Sequence, residues 1–134
     1  MIPATGFYEW KKNDKTKTPY HIYIDGADMF AFAGIWDSCK NSNGQVIHTF
    51  SIITTEPNEL VKQVHDRMPA ILNKAHEEDW LDEAADKEYL HSMLQPYNSE
   101  LLKMYPVSSL TNSPKNNYKE LLLSVEQELT PKLF

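Results

Sequence analysis

Two short stretches of this chain carry residues suited to moving protons. Phe7-Tyr8-Glu9-Trp10 sets one carboxylate into a run of aromatics. On a strand, alternation places Phe7 and Glu9 on one face and Tyr8 and Trp10 on the other. A carboxyl group beside apolar rings holds its proton more tightly, because desolvation disfavours the charged form. That tunes an acid or base toward neutral pH. His65-Asp66-Arg67 places an imidazole, a carboxylate and a guanidinium in successive positions. Imidazole is the side chain most easily poised at physiological pH, and the Arg fork suits phosphate. Asp66 can orient either neighbour. Each stretch also has an ordinary reading: a solvated Glu on a half-buried strand, and a loop whose charges pair with each other.

The elements that would hold these groups are mostly strands. Residues 3–11 read as a first strand, with a turn at Asn13-Asp14-Lys15. Tyr20, Ile22 and Ile24 alternate with His21, Tyr23 and Asp25, the period of a strand. Asp25-Gly26 and Asn43-Gly44 are turn signals. The apolar run Met29 to Trp36 predicts a strand covered on both faces. Val46 to Thr55, rich in β-branched residues, predicts its partner, so the first 55 residues form an antiparallel meander. Glu59 to Val64 is a short helical or irregular bridge that delivers His65. Pro69 keeps Met68 extended, so Met68 to Leu72 is a short strand.

Beyond Leu72 the pattern turns helical. Ala75 to Leu81 is acidic, with Trp80 and Leu81 as its inward face. Asp86 is placed to cap a second helix bearing Leu90, Met93 and Leu94. Met104 to Val107 returns as a strand, Asn112-Ser113-Pro114 is a loop, and Tyr118, Leu121, Leu122 and Val125 form one stripe of a last helix. These elements predict an α+β fold: a curved antiparallel sheet or partly open barrel with helices packed on it, one domain over residues 1–134.

Composition narrows the function. A net charge of −6 argues against coating nucleic acid by bulk electrostatics, yet permits a small basic groove on an acidic body. Lys11, Lys12, Lys15 and Lys17 cluster after the first strand and read as a solvated hairpin loop. No apolar run reaches membrane-spanning length and no signal-peptide pattern opens the chain, so a cytoplasmic location is expected. Cys39 is the only cysteine and reads as an unreactive thiol. His76-Glu77-Glu78 lacks the second His of a zinc-peptidase helix, and His21, His48 and His91 show no ligand spacing, so no metal or cofactor is expected. Trp10, Trp36 and Trp80 read more readily as core than as base-stacking platforms.

Ile2-Pro3-Ala4-Thr5-Gly6-Phe7-Tyr8-Glu9-Trp10, followed by His65-Asp66-Arg67-Met68-Pro69-Ala70-Ile71-Leu72, resembles the SRAP (SOS response-associated peptidase) family. The first stretch is similar to that family's Ile-Pro-Ala-x-Gly-aromatic-Tyr-Glu-Trp strand, the second to its His-Asp-Arg-Met-Pro segment. Val107 with Thr111-Asn112 is similar, more weakly, to its closing region. The resemblance implies a PUA-like partly open barrel that recognises abasic sites in single-stranded DNA during the DNA-damage response. It implies covalent DNA–protein crosslinking through an N-terminal cysteine exposed by removal of the initiator Met, the basis of the peptidase label. Glu9 and His65 would be the catalytic pair, with Arg67, Trp10 and Asp66 facing the DNA.

The chain also departs from that family. There the Ile-Pro-Ala strand follows a segment bearing the nucleophilic cysteine, a basic residue and an Asn-Ala-Arg stretch. Here Met1-Ile2-Pro3 opens the sequence, and nothing stands where the nucleophile should be. The chain as given is therefore expected to be N-terminally incomplete and unable to form the crosslink. Exposed sheet edges, self-association and weak, salt-sensitive DNA binding are expected with it. A non-catalytic reader of damaged DNA, and an interaction fragment with no DNA role, remain the rival readings.

Overall fold

The computed structural model describes residues 1–13 and 15–125. Nine strands in four small antiparallel sheets and two short helices make up the regular structure described there. β1 (Ile2–Ala4) pairs with β4 (Phe30–Phe32). β2 (Phe7–Lys12) and β9 (Leu102–Pro106) flank β3 (Lys17–Ile24), and the register sets Glu9 opposite Tyr20 and His21 opposite Tyr105. β5 (Gly34–Lys40) and β6 (Val46–Ile52) form a hairpin. β7 (Thr54–Thr55) pairs with β8 (Met68–Pro69). The sheets do not close on one another, which agrees with the expected curved and partly open α+β arrangement.

The expected single strand over residues 3–11 is broken at Thr5-Gly6, and its halves join different sheets. Gly6 lies hard against the His21 imidazole, and a Cβ there would also come within 2.9 Å of the Ile22 carbonyl oxygen. The chain changes sheets where it has no side chain to obstruct the crossing. The expected turns at Asp25-Gly26 and Asn43-Gly44 are present, with φ of +76° at Gly26 and +77° at Gly44. Asp14 of the Asn13-Asp14-Lys15 turn lies outside the described residues, although the Asn13 N–H donates to the Thr16 carbonyl at 2.9 Å.

The principal core gathers Ile22, Ile24, Phe30, Phe32, Val61, Val64, Met68, Ile71 and Leu102, all buried. Phe7 packs edge-on against Phe32, at 5.8 Å between ring centroids. A smaller cluster of Ala33, Ala70 and Leu72 takes cover from Trp80, Met93 and Leu94. Helix α1 (Glu77–Leu81) brings Trp80 there, but Leu81, expected to face inward, is exposed: only five residues are helical, too few to bury adjacent positions. Helix α2 (Lys87–Ser92) begins where Asp86 caps it, its carboxylate accepting from the Glu88 and Tyr89 N–H groups at 3.0 and 3.1 Å.

Two expectations are corrected here. Met29 to Trp36 is not one covered strand. Phe30–Phe32 is buried, but beyond Ala33 the chain enters the β5–β6 hairpin, where Trp36 is 74% and Phe50 67% exposed. Ala33 spends its N–H on Ala70 and its carbonyl on Ile53, which ends the first strand there. Trp36 is accordingly no core residue. The last helix is also absent over Tyr118 to Leu122: Lys119–Leu122 forms a 3-10 turn, and Ser124 then bridges to Val107. Leu121 is buried while Tyr118 and Leu122 are exposed, so one side chain, not a stripe, docks.

Candidate functional site

β2 presents Glu9 on the same face as Phe7, and Phe7 is fixed by the core. The opposing group comes from a turn whose geometry Asn58 sets. The Asn58 side-chain oxygen accepts from the Leu60 and Val61 N–H groups at 3.2 and 3.0 Å, starting the 3-10 turn Val61–Gln63. Its amide donates to the Tyr97 carbonyl at 2.7 Å. Val61 and Val64 sit in the core, and buried Met68 pins the far side, with its sulfur 3.3 Å from the Asn58 nitrogen. His65 is thus carried on a short segment anchored at both ends.

The result is a facing pair. His65 Nε2 lies 3.9 Å from Glu9 Oε2, and the side chains are 35% and 19% exposed. Burial pushes the Glu9 carboxyl above its ordinary value, and the neighbouring His65 only partly opposes this. The other ring nitrogen, Nδ1, has Arg67 N at 3.2 Å, Arg67 O at 3.1 Å and Asp66 Oδ1 at 3.3 Å. A bare Nδ1 accepts from the Arg67 N–H and leaves the ring proton on Nε2, facing Glu9. A protonated Nδ1 donates to the Arg67 carbonyl or to Asp66. Either protonation state of the imidazole has partners waiting.

At 3.9 Å the pair is too far apart for a direct hydrogen bond. A ligand oxygen at about 2.8 Å from both atoms fits between them. The arrangement can hold one hydroxyl between a carboxyl and an imidazole.

A groove of about 400 Å³ leads away from His65. Trp10, Lys11, Lys12, Lys62, Gln63, His65 and Asp66 contribute to its walls. The Trp10 indole N–H donates to Asn112 Oδ1 at 2.6 Å, so a residue from the loop after β9 holds this ring. Asp66 is 91% exposed at the groove's mouth. Arg67 turns its guanidinium to the Thr54 hydroxyl on β7, and Arg67 is absent from the groove walls.

The structure therefore brings Glu9, His65, Asp66 and Trp10 to one place and holds Arg67 to one side. Lys11, Lys12, Lys15 and Lys17 are exposed on the β2–β3 hairpin, as expected, and Lys11 and Lys12 also line the groove. Sequence reasoning missed Lys62 and Asn58, and marked Asn112 only through the weaker likeness of the closing region. Of these only Asn58 carries a local signal: an Asn three residues ahead of a short helical segment caps it through its own side chain. Among the described residues, no three His, Cys, Asp or Glu side chains are grouped to hold a metal ion, and no helix is long and apolar enough to cross a membrane.

An acid–imidazole pair thus stands beside a basic groove on open antiparallel sheets. The family model for SOS response associated peptidase (SRAP) matches residues 1–114, and the chain belongs to that family. It is 48% identical over 126 residues to the abasic site processing protein YoqW of Bacillus subtilis, an alignment covering 92% of this chain and 56% of that protein. It is 32% identical over 148 residues to the abasic site processing protein HMCES of Gallus gallus, covering 94% of this chain and 43% of that one. The chain thus spans about half the length of the curated relatives it matches. A crystal structure of a protein from Bacteroides thetaiotaomicron aligns with a TM-score of 0.84 at 34% identity, over 92% of this chain and 55% of that one.

Proposed function

We propose that this chain recognises abasic sites in single-stranded DNA and that Glu9 and His65 act together on the baseless sugar. The observation that carries this is the 3.9 Å gap between a carboxyl held above its ordinary pKa and an imidazole. An abasic deoxyribose is chiefly a closed hemiacetal, and reaction at C1 requires the open aldehyde. Opening breaks the bond from C1 to the ring oxygen. A base takes the proton from the C1 hydroxyl while an acid gives one to the departing ring oxygen, so protons and electrons balance. A carboxyl and an imidazole 3.9 Å apart suit that exchange, one at the C1 hydroxyl and the other at the ring oxygen, each able to hold or release a proton. Asp66 and the Arg67 carbonyl steady the ring through Nδ1. Specificity is steric: a sugar with no base reaches the pair, and one with its base does not. A single strand fits best, since one narrow basic groove with one aromatic ring is suited to one backbone and its unstacked bases. Arg67 contributes from the rim.

The nucleophile that would capture the aldehyde has no counterpart in the described site. Cys39 is an exposed free thiol on the β5–β6 hairpin. That hairpin, with Trp36 and Phe50 uncovered, also supports self-association of the chain through its apolar face.

The test compares abasic and intact oligonucleotides. An aminooxy probe reacts with the open aldehyde, and its rate on abasic single strands should rise in the presence of the chain. Glu9→Gln and His65→Ala should each remove the acceleration while binding to the strand persists. Equal affinity for abasic and intact strands would overturn the proposal; discrimination without acceleration would favour a non-catalytic reader.

A further inference from the structure

The lysines beside the site make a second element of the machine. Lys11 and Lys12 end β2, and Lys62 lies in the 3-10 turn that carries His65, so two separate elements bring three ammonium groups to one groove. All three are exposed. None makes an ion pair among the described residues, while Lys74 and Lys103 do. The β2–β3 register adds a fourth charge by setting Lys12 directly opposite Lys17. Like charges facing each other across antiparallel strands are destabilising. This happens in a chain of net charge −6, where acidic partners abound, yet the one carboxylate on the groove walls is Asp66 at its mouth. Positive charge is thus concentrated beside the Glu9–His65 pair, with no ion-pair partner for these lysines among the described residues. Trp10, clamped by Asn112, lies among the lysines.

We infer that Lys11, Lys12 and Lys62 form a phosphodiester track that grips the single strand on one flank of the reacting sugar, with Trp10 as the stacking surface for the adjoining base. The inference rests on the reading of the site as one that takes nucleic acid. A groove that follows the backbone by charge and offers one aromatic face binds without regard to sequence or damage. The track therefore supplies affinity and register, and the Glu9–His65 pair supplies discrimination. Those two contributions separate in experiment.

The experiment measures anisotropy of labelled single strands, intact and abasic, across a salt series. The variants are K11Q/K12Q/K62Q, the charge-conserving K11R/K12R/K62R, and K40Q/K74Q/K87Q as a control of equal net charge elsewhere. Each phosphate contact on a single strand adds about 0.7 to the slope of log affinity against log salt. The groove triple variant is expected to lower the slope magnitude by about 2, equally on intact and abasic strands. The ratio of the two affinities should stay unchanged. The arginine variant should retain the slope, and the control triple should match wild type. An unchanged slope in the groove variant, an equal loss in the control, or a loss confined to abasic strands would overturn the inference. So would a polyglutamate of matched charge that competes for the groove as well as DNA does, since it offers neither phosphodiesters nor a base to stack. Should the chain bind both strands equally but lose slope in the groove variant, the track stands and the abasic reading falls.

Discussion

Replacing Glu9 with Gln is expected to make the folded chain more stable at neutral pH while removing the proposed action on the abasic sugar. Two forces act on this carboxyl. Burial, with only 19% of the side chain exposed, disfavours its charge, while His65 at 3.9 Å favours it. At an effective dielectric near 20, unit charges at that separation attract by roughly 4 kcal/mol. The imidazole is 35% exposed, however, and solvent screening brings such pairs to about 1 kcal/mol or less. Burial wins, and the carboxyl lies above its ordinary value of 4.5.

The sign of the pH effect follows. Between the ordinary and the raised value the folded state binds more protons than the unfolded chain. The wild type therefore loses stability as pH rises through that window, by at most about 1.4 kcal/mol per pH unit for one proton. Gln has no proton to lose. The advantage of E9Q should be smallest below the ordinary value, grow through the window, and level off once the folded carboxyl is ionised. Urea unfolding followed by tryptophan fluorescence, repeated across pH, measures the difference, and its plateau reads the shift directly. An E9Q protein less stable than wild type at neutral pH would mean that the imidazole outweighs burial. A difference that ignores pH would mean that Glu9 is not held away from water at all.

Three other experiments probe the fold that carries the site. Gly6→Ala should cost about 1–3 kcal/mol by overpacking, and His21→Ala in the same chain should relieve only part of it, because the Ile22 carbonyl stays in the way; additive losses in a double-mutant cycle would contradict this. Asp86→Ala removes the acceptor for two helix N–H groups and should cost about 0.5–2 kcal/mol, read as a shift of the urea midpoint at constant slope. Trp36→Ser with Phe50→Ser should leave stability within about 0.5 kcal/mol, yet reduce dye binding and any concentration-dependent growth in size during light scattering; unchanged dye binding would place the apolar surface elsewhere.

Local chemistry was legible in the sequence where one or two residues decide the backbone. Asp25-Gly26, Asn43-Gly44 and the Asp86 cap all act over a few bonds, and all are found where they were expected. The break at Gly6 was not legible, because what excludes a side chain there is His21, fifteen positions away and placed by strand pairing. Met29 to Trp36 misled for a related reason. An apolar run records that burial is possible, and the cover available to Phe30–Phe32 simply does not extend to Trp36. The site divides the same way. Glu9 and the His65 segment each show suitable residue types, but their meeting depends on two anchored elements 56 positions apart, and only the family likeness joined them. Lys62 shows nothing by itself; it matters because its turn faces the end of β2.

The sheet that bears Glu9 has its third strand, β9, supplied from about 80 positions downstream of the middle one, and the Trp10 ring waits for Asn112. Pairing across such distances pays its loop-closure entropy before any reward arrives, so this sheet belongs to the slow part of folding. A chain emerging from the ribosome therefore carries the glutamate and the histidine long before it carries their alignment. The facing pair exists only when the fold is finished, so a half-made molecule holds both residues without the site they form.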